Sequence, residues 1–146
     1  MFRGNAEVRI DDKGRLKLPS RFSSIIPDTY GKRFFVTTLK GDCVWVFPLE
    51  AWIAIERKLA AAPSTNPSIV RFHRDANRNG MELEMDAAGR ILIPPKLRAT
   101  TGIDGDVLIL GCNDRLEVWN LQAFEEARRK DPFTDADLEV LSRFNI

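Results

Sequence analysis

At 146 residues with 44% hydrophobic content, the chain can bury one respectable core, as a single domain or as two intimately joined halves; two independent domains would each be marginal. A net charge of +1 gives no sign of a polyanionic partner by itself, but residues 1–40 carry nine Lys/Arg against four Asp/Glu, while residues 101–146 carry five against ten. No run approaches the roughly eighteen apolar residues of a membrane span, no leader-like apolar stretch follows Met1, and Cys43 and Cys112 lack CxxC spacing, so a soluble intracellular chain with reduced thiols is expected.

Along the chain, residues 6–18 form two short runs of apolar and charged residues around Asp11-Asp12-Lys13-Gly14, which reads as strand, tight turn, strand. Pro19 ends the second strand, and residues 20–26 suit a short helix or helical turn before Pro27-Asp28. A hairpin follows: residues 33–39, a turn at Lys40-Gly41-Asp42, and residues 43–47, rich in aromatic and β-branched side chains. After Pro48 the spacing of Leu49, Trp52, Ile53, Ile55 and Leu59 turns helical, to about Ala62. Residues 60–68 read as a linker, closed by an Asn66 N-cap and Pro67 that open a short helix through Phe72 and His73. Strands are expected at 81–85 and 90–93 around a turn at 86–89, then Pro94-Pro95 and a short turn region. A second hairpin, 106–111 with 116–119, turns at Asn113-Asp114-Arg115. Leu121–Lys130 reads as a helix with Asn120 as N-cap, and Thr134 opens a last helix with an apolar stripe at Leu138, Leu141 and Phe144.

The plan runs twice. Asp11, Gly14, Arg15 and Pro19 recur without a gap, 75 positions on, as Asp86, Gly89, Arg90 and Pro94. Further along, Val44, Val46, Phe47, Leu49 and Trp52 match Leu116, Val118, Trp119, Leu121 and Phe124 at a shift of 72, so the copies differ by a three-residue deletion. Two such units can pack as a pseudo-twofold pair that brings equivalent loops to one face. In each loop a carboxylate, a glycine able to take positive φ and an arginine are close enough for the aspartate to hold the guanidinium or the turn backbone. A purely structural turn with a weak surface ion pair is the competing reading.

Other chemistry finds little footing. His73 is the single histidine, neither cysteine has an activating neighbour, and no phosphate-cradling glycine loop is present, so no catalytic residue, metal site, cofactor or small-molecule ligand is expected. The aromatic residues Phe34, Phe35, Trp45, Phe47, Trp52 and Trp119 fit a core or subunit contact better than a base-stacking platform.

The Asp-x-x-Gly-Arg-x-x-x-Pro pattern resembles the DNA-binding loop of the AbrB-like swapped-hairpin family. The tandem copy, the opening Met1-Phe2-Arg3-Gly4 and Arg71-Phe72-His73-Arg74 between the repeats extend the resemblance, to the MraZ family, over nearly the whole chain. It implies a β-rich α+β fold of two swapped-hairpin halves in a pseudo-twofold β-barrel with short flanking helices: repeat 1 at 5–52, a helical linker at 53–80, repeat 2 at 81–124 and a helical segment at 125–146. It also implies a cytoplasmic, nucleoid-associated regulator of the division and cell-wall gene cluster, its own operon included, that forms homo-oligomeric rings and reads short direct repeats in double-stranded promoter DNA. Arg15 and Arg90 are the expected base readers, with Asp11, Gly14, Asp86 and Gly89 organising their loops and Lys13, Lys17 and Arg3 as further contacts. Because Ala88 and Leu92 replace Lys13 and Lys17 in the second copy, the first loop is expected to contribute more affinity. The alternative is a protein-interaction ring or scaffold, or an antitoxin-like module, on the same fold.

Overall fold

A computed structural model describes residues 1–26 and 32–146, so the expected break at Pro27-Asp28 lies outside the described residues. The first repeat supplies β1 (Asn5–Arg9), β2 (Arg15–Lys17), the short α1 (Ser20–Ser23), β3 (Arg33–Thr37), β4 (Val44–Pro48) and α2 (Leu49–Ala61). After α3 (Pro67–Asn79), the second supplies β5 (Met81–Glu84), β6 (Arg90–Leu92), α4 (Pro95–Thr101), β7 (Asp106–Cys112), β8 (Arg115–Asn120) and α5 (Leu121–Lys130), and α6 (Asp135–Ser142) follows. The result is α+β.

Strand pairing crosses the repeats. Among the described residues every ladder is antiparallel, in a six-stranded sheet ordered β1-β7-β8-β4-β3-β5 and a separate ribbon of β2 with β6. Strand β1 therefore lies on the hairpin of the second repeat and β5 on that of the first, so the two strands flanking each Asp-Arg turn do not pair with each other. Trp45 faces Glu117 in the sheet, 72 residues on, and Leu16 faces Ile91 in the ribbon, 75 residues on; the pseudo-twofold axis passes through both pairs. Among the described residues no ladder joins ribbon to sheet, and β1 and β5 remain the sheet edges, so the expected closed barrel is not seen as a continuous hydrogen-bonded cylinder. The three-residue β2 and β6 are satisfied by pairing with each other.

Hydrophobic burial explains this exchange. Leu16, Leu18, Ile91 and Ile93 on the ribbon's inner side are at most 1% exposed and share one cluster with Phe34, Val36, Val44 and Val46 of one hairpin and Val107, Ile109, Leu116 and Val118 of the other. A three-residue strand cannot bury such side chains alone; the two together close over the core. Outside the sheet, α2 and α3 cover a second cluster in which Trp52 stacks on Phe35 at 4.3 Å between ring centroids and reaches Phe72 at 6.2 Å. The aromatic residues are thus packing residues: Phe34, Phe47 and Trp52 are buried, and Phe35, Trp45 and Trp119 half-buried.

Two helices exceed the sequence reading. Helix α3 has the expected Asn66 cap, whose side chain accepts from the Ser68 amide at 2.9 Å, but continues to Asn79 because Ala76 is buried and its carbonyl accepts from Thr37 Oγ1 at 2.7 Å. Helix α4 replaces the expected turn region: Pro95 opens it with a preset φ, Leu97 is buried, and Gly102 ends it in the left-handed region. Helix α5 matches its expected bounds, with Asn120 accepting from the Ala123 amide at 3.0 Å. In α6, Thr134 and Asp137 form the capping box, yet Leu138 and Phe144 of its apolar stripe are exposed. No helix among the described residues is long and apolar enough to cross a membrane.

Candidate nucleic-acid interface

Both Asp-Arg loops close the same way. In the first, Asp11 Oδ1 accepts from the backbone amides of Lys13 at 3.0 Å and Arg15 at 2.8 Å, while Oδ2 accepts from Arg15 Nε at 2.6 Å. In the second, Asp86 Oδ1 accepts from the amides of Ala88 and Arg90, each at 2.9 Å, and Oδ2 from Arg90 Nε at 3.0 Å. The glycine amide donates to the aspartate carbonyl at 3.0 Å in each, with φ of +84° at Gly14 and +78° at Gly89, a turn only glycine enters without strain. The loops are also laced together: the Leu18 amide donates to the Gly89 carbonyl at 3.0 Å, and the Ile93 amide to the Gly14 carbonyl at 2.9 Å.

These bonds act on the carboxylates. The Arg15 backbone N–H foremost, joined by the Arg15 guanidinium and the Lys13 N–H, outweighs the opposing desolvation and holds Asp11 below its ordinary value of 3.8. The Arg90 backbone N–H, the Arg90 guanidinium and the Ala88 N–H do the same for Asp86. Each aspartate is therefore a fixed anion, and each arginine is tethered through Nε alone. Both Nη groups of Arg15 and of Arg90 are left without a partner among the described residues. A guanidinium held at its root with its two terminal nitrogens free suits bidentate recognition.

The ribbon sets the spacing. Arg15 faces Leu92 and Lys17 faces Arg90, so these four side chains share one side of the ribbon while Leu16 and Ile91 fill the other. The two arginines are diagonal neighbours, with Cα atoms about 7–8 Å apart. A two-stranded ribbon with a cationic outer side is one of the few elements that fit the DNA major groove.

The other expected residues divide. Lys13 stands exposed in the first turn. Lys17 does not serve its own loop: its Nζ donates to the Ala88 carbonyl of the second. Arg3 is not brought to the loops; it follows Phe2, whose bridge to Asn113 pins the chain beyond the far end of β1, and β1 alone spans about 13 Å. Arg98 of α4 is a loop-face cation that the repeat pattern gave no sign of, because Ser23 occupies the equivalent position in the first copy. Its Nε donates to the Ile93 carbonyl at 3.0 Å, and its guanidinium covers Gly14. Among the described residues no three His, Cys, Asp or Glu are grouped to hold a metal, and His73 is exposed. Burial pushes the thiols of Cys43 and Cys112 up, away from the reactive thiolate.

Comparison with known proteins agrees with the double motif. The family model described as "MraZ protein, putative antitoxin-like" matches residues 1–75 and again 78–144, one match per repeat. The chain is similar to the transcriptional regulator MraZ of Acidobacterium capsulatum, 41% identical over 146 residues and the whole of both chains. It is 40% identical over 147 residues to that of Koribacter versatilis, again over the whole of both, and 34% identical over 125 residues to that of Chromobacterium violaceum, covering 86% of this chain and 84% of the relative. With two motifs in register, two matches to one family model and relatives aligned from end to end, the chain belongs to the MraZ family.

Proposed function

We propose that the chain is a sequence-specific DNA-binding transcriptional regulator rather than an enzyme. The observation that carries the reading is the outer side of the β2–β6 ribbon, where Arg15 and Arg90 are each rooted by an aspartate and free at both Nη groups. In this reading each arginine takes guanine O6 and N7 in the major groove, Asp11, Gly14, Asp86 and Gly89 hold the loops, and Lys13 contacts phosphate. The two repeats act as one swapped-hairpin unit, and several copies in a homo-oligomeric ring engage short direct repeats together, each further contact made at high effective concentration. The targets are promoters of the division and cell-wall gene cluster, its own operon included, and the site of action is the cytoplasmic nucleoid. The named function of the relatives supports the general class.

The test is fluorescence anisotropy with a duplex from upstream of the chain's own gene against a scrambled duplex, across a salt series. Tight, salt-dependent preference is expected, with Arg15→Ala and Arg90→Ala each losing about 1–3 kcal/mol, roughly 5- to 150-fold. Equal weak binding to both duplexes, or folded arginine variants that bind unchanged, would refute it. One observation favours the interaction-module alternative: α6 and its flanks expose Phe133, Leu138, Val140 and Phe144. Salt-insensitive binding to a protein and none to DNA would select that reading.

A further inference from the structure

In sequence, Lys17 belongs with Arg15, two residues before it, and the second loop looks deprived of cations. The fold rearranges these allegiances. Ribbon register sets Lys17 opposite Arg90, and its Nζ donates to the carbonyl of Ala88, whose own amide is bound to Asp86 Oδ1. A Cβ on Gly89 would lie 3.1 Å from Lys17 Nζ, so the ammonium rests directly on the second turn. Leu92, the repeat equivalent of Lys17, has no donor to return to the first loop. That loop receives Arg98 instead: Nε is bound to the Ile93 carbonyl, the Ile93 amide to the Gly14 carbonyl, and a Cβ on Gly14 would lie 2.5 Å from Arg98 Nε and 2.7 Å from Cζ. Gly14 is accordingly buried, where Gly89 is half-buried.

We propose that Lys17 and Arg98 are positioning residues that act crosswise, Lys17 of the first repeat holding the Arg90 loop and Arg98 of the second repeat holding the Arg15 loop. Each keeps the turn closed around its aspartate, so that the aspartate can fix the arginine at Nε. The duplication has thus diverged into reciprocal support: each repeat lends the other a cation, and neither loop keeps its shape independently of the opposite repeat. The effect on DNA rests on the DNA-binding reading above; the effect on loop geometry does not.

Two measurements on the intact protein test this. Without DNA, the Nε–H resonances of Arg15 and Arg90 report their tethers: Lys17→Met shifts the Arg90 signal and spares Arg15, and Arg98→Met does the reverse. With DNA, Lys17→Met weakens binding about 3- to 10-fold, the loss of about one hydrogen bond. That effect disappears in an Arg90→Ala background and persists in Arg15→Ala, and Arg98→Met shows the mirror pattern. Arg98→Gln keeps a nitrogen at the Nε position without the charge and restores binding, with the salt dependence unchanged. Coupling of Lys17 to Arg15, independence of both arginines, or an Arg98→Gln protein that behaves as Arg98→Met with a salt slope lowered by about 1 would overturn the proposal. Should Arg15→Ala and Arg90→Ala leave DNA binding intact, the DNA reading fails, while the DNA-free resonances still decide whether support is crosswise.

Discussion

Replacing each loop glycine by alanine separates two costs that the pseudo-symmetry would otherwise merge. Gly14 and Gly89 have nearly the same positive φ, +84° and +78°, so each alanine bears the left-handed penalty of about 1–2 kcal/mol. The surroundings differ. At Gly89 the new methyl would meet Lys17 Nζ at 3.1 Å, the far end of a flexible chain that yields by a few tenths of an ångström. At Gly14 it would stand 2.5–2.9 Å from Arg98 Nε, Cζ and Nη2, so the guanidinium must leave and its 3.0 Å bond to the Ile93 carbonyl is lost. That bond adds about 0.5–1.5 kcal/mol, making Gly14→Ala about 1 kcal/mol the more destabilising. In a domain of this size the gap corresponds to about 2–4 °C in melting temperature. Urea titrations and thermal melts of the two variants, at matched protein concentration, measure it. A Gly89→Ala protein as unstable as Gly14→Ala, or more so, would refute the asymmetric support of the loops.

Ile91 is fully buried at the pseudo-twofold pair with Leu16, so Ile91→Ala should cost about 2–5 kcal/mol and Ile91→Val about 0.5–1.5 kcal/mol in urea denaturation. Because Asp11 and Asp86 are held below their ordinary 3.8 when folded, their contribution is fully present above that value and is lost as pH falls through the lower folded-state value. Carboxyl carbon titrations should place both midpoints below 3.8, with the arginine Nε–H signals steady from neutral pH to about 4; a midpoint at or above 3.8 would contradict the tethering. Cys43, at 2% exposure with its thiol pushed far up by burial, should resist a thiol-specific chromogenic disulfide at pH 8 while the protein is folded and react promptly in denaturant.

What is local and repeated in this chain is legible from its residues alone. Asp, Gly and Arg at fixed offsets define each turn, because a carboxylate can reach only the amides and guanidinium within a few residues of it, and the observed bonds run from Asp11 to Arg15 and from Asp86 to Arg90. Asn120, Asn66 and Thr134 mark helix starts because capping is satisfied within three residues. The apolar residues of the hairpins and α2 announced a core, and the doubled motif placed the chain in its family. Which strand pairs with which is settled by the assembled core. Strand β1 could have folded back on β2 or crossed to β7, and the choice rests on the joint burial of Leu16, Leu18, Ile91 and Ile93 beneath both hairpins, a non-local property no window of sequence contains. That same choice set Lys17 on the second loop, pinned the chain beside Arg3 to Asn113 of the second hairpin, and brought Arg98 over the first loop from a helix whose residues read as a turn in sequence. A long cationic side chain carries no address in its own neighbourhood; its partner is fixed by the register of strands that only the assembled core can select.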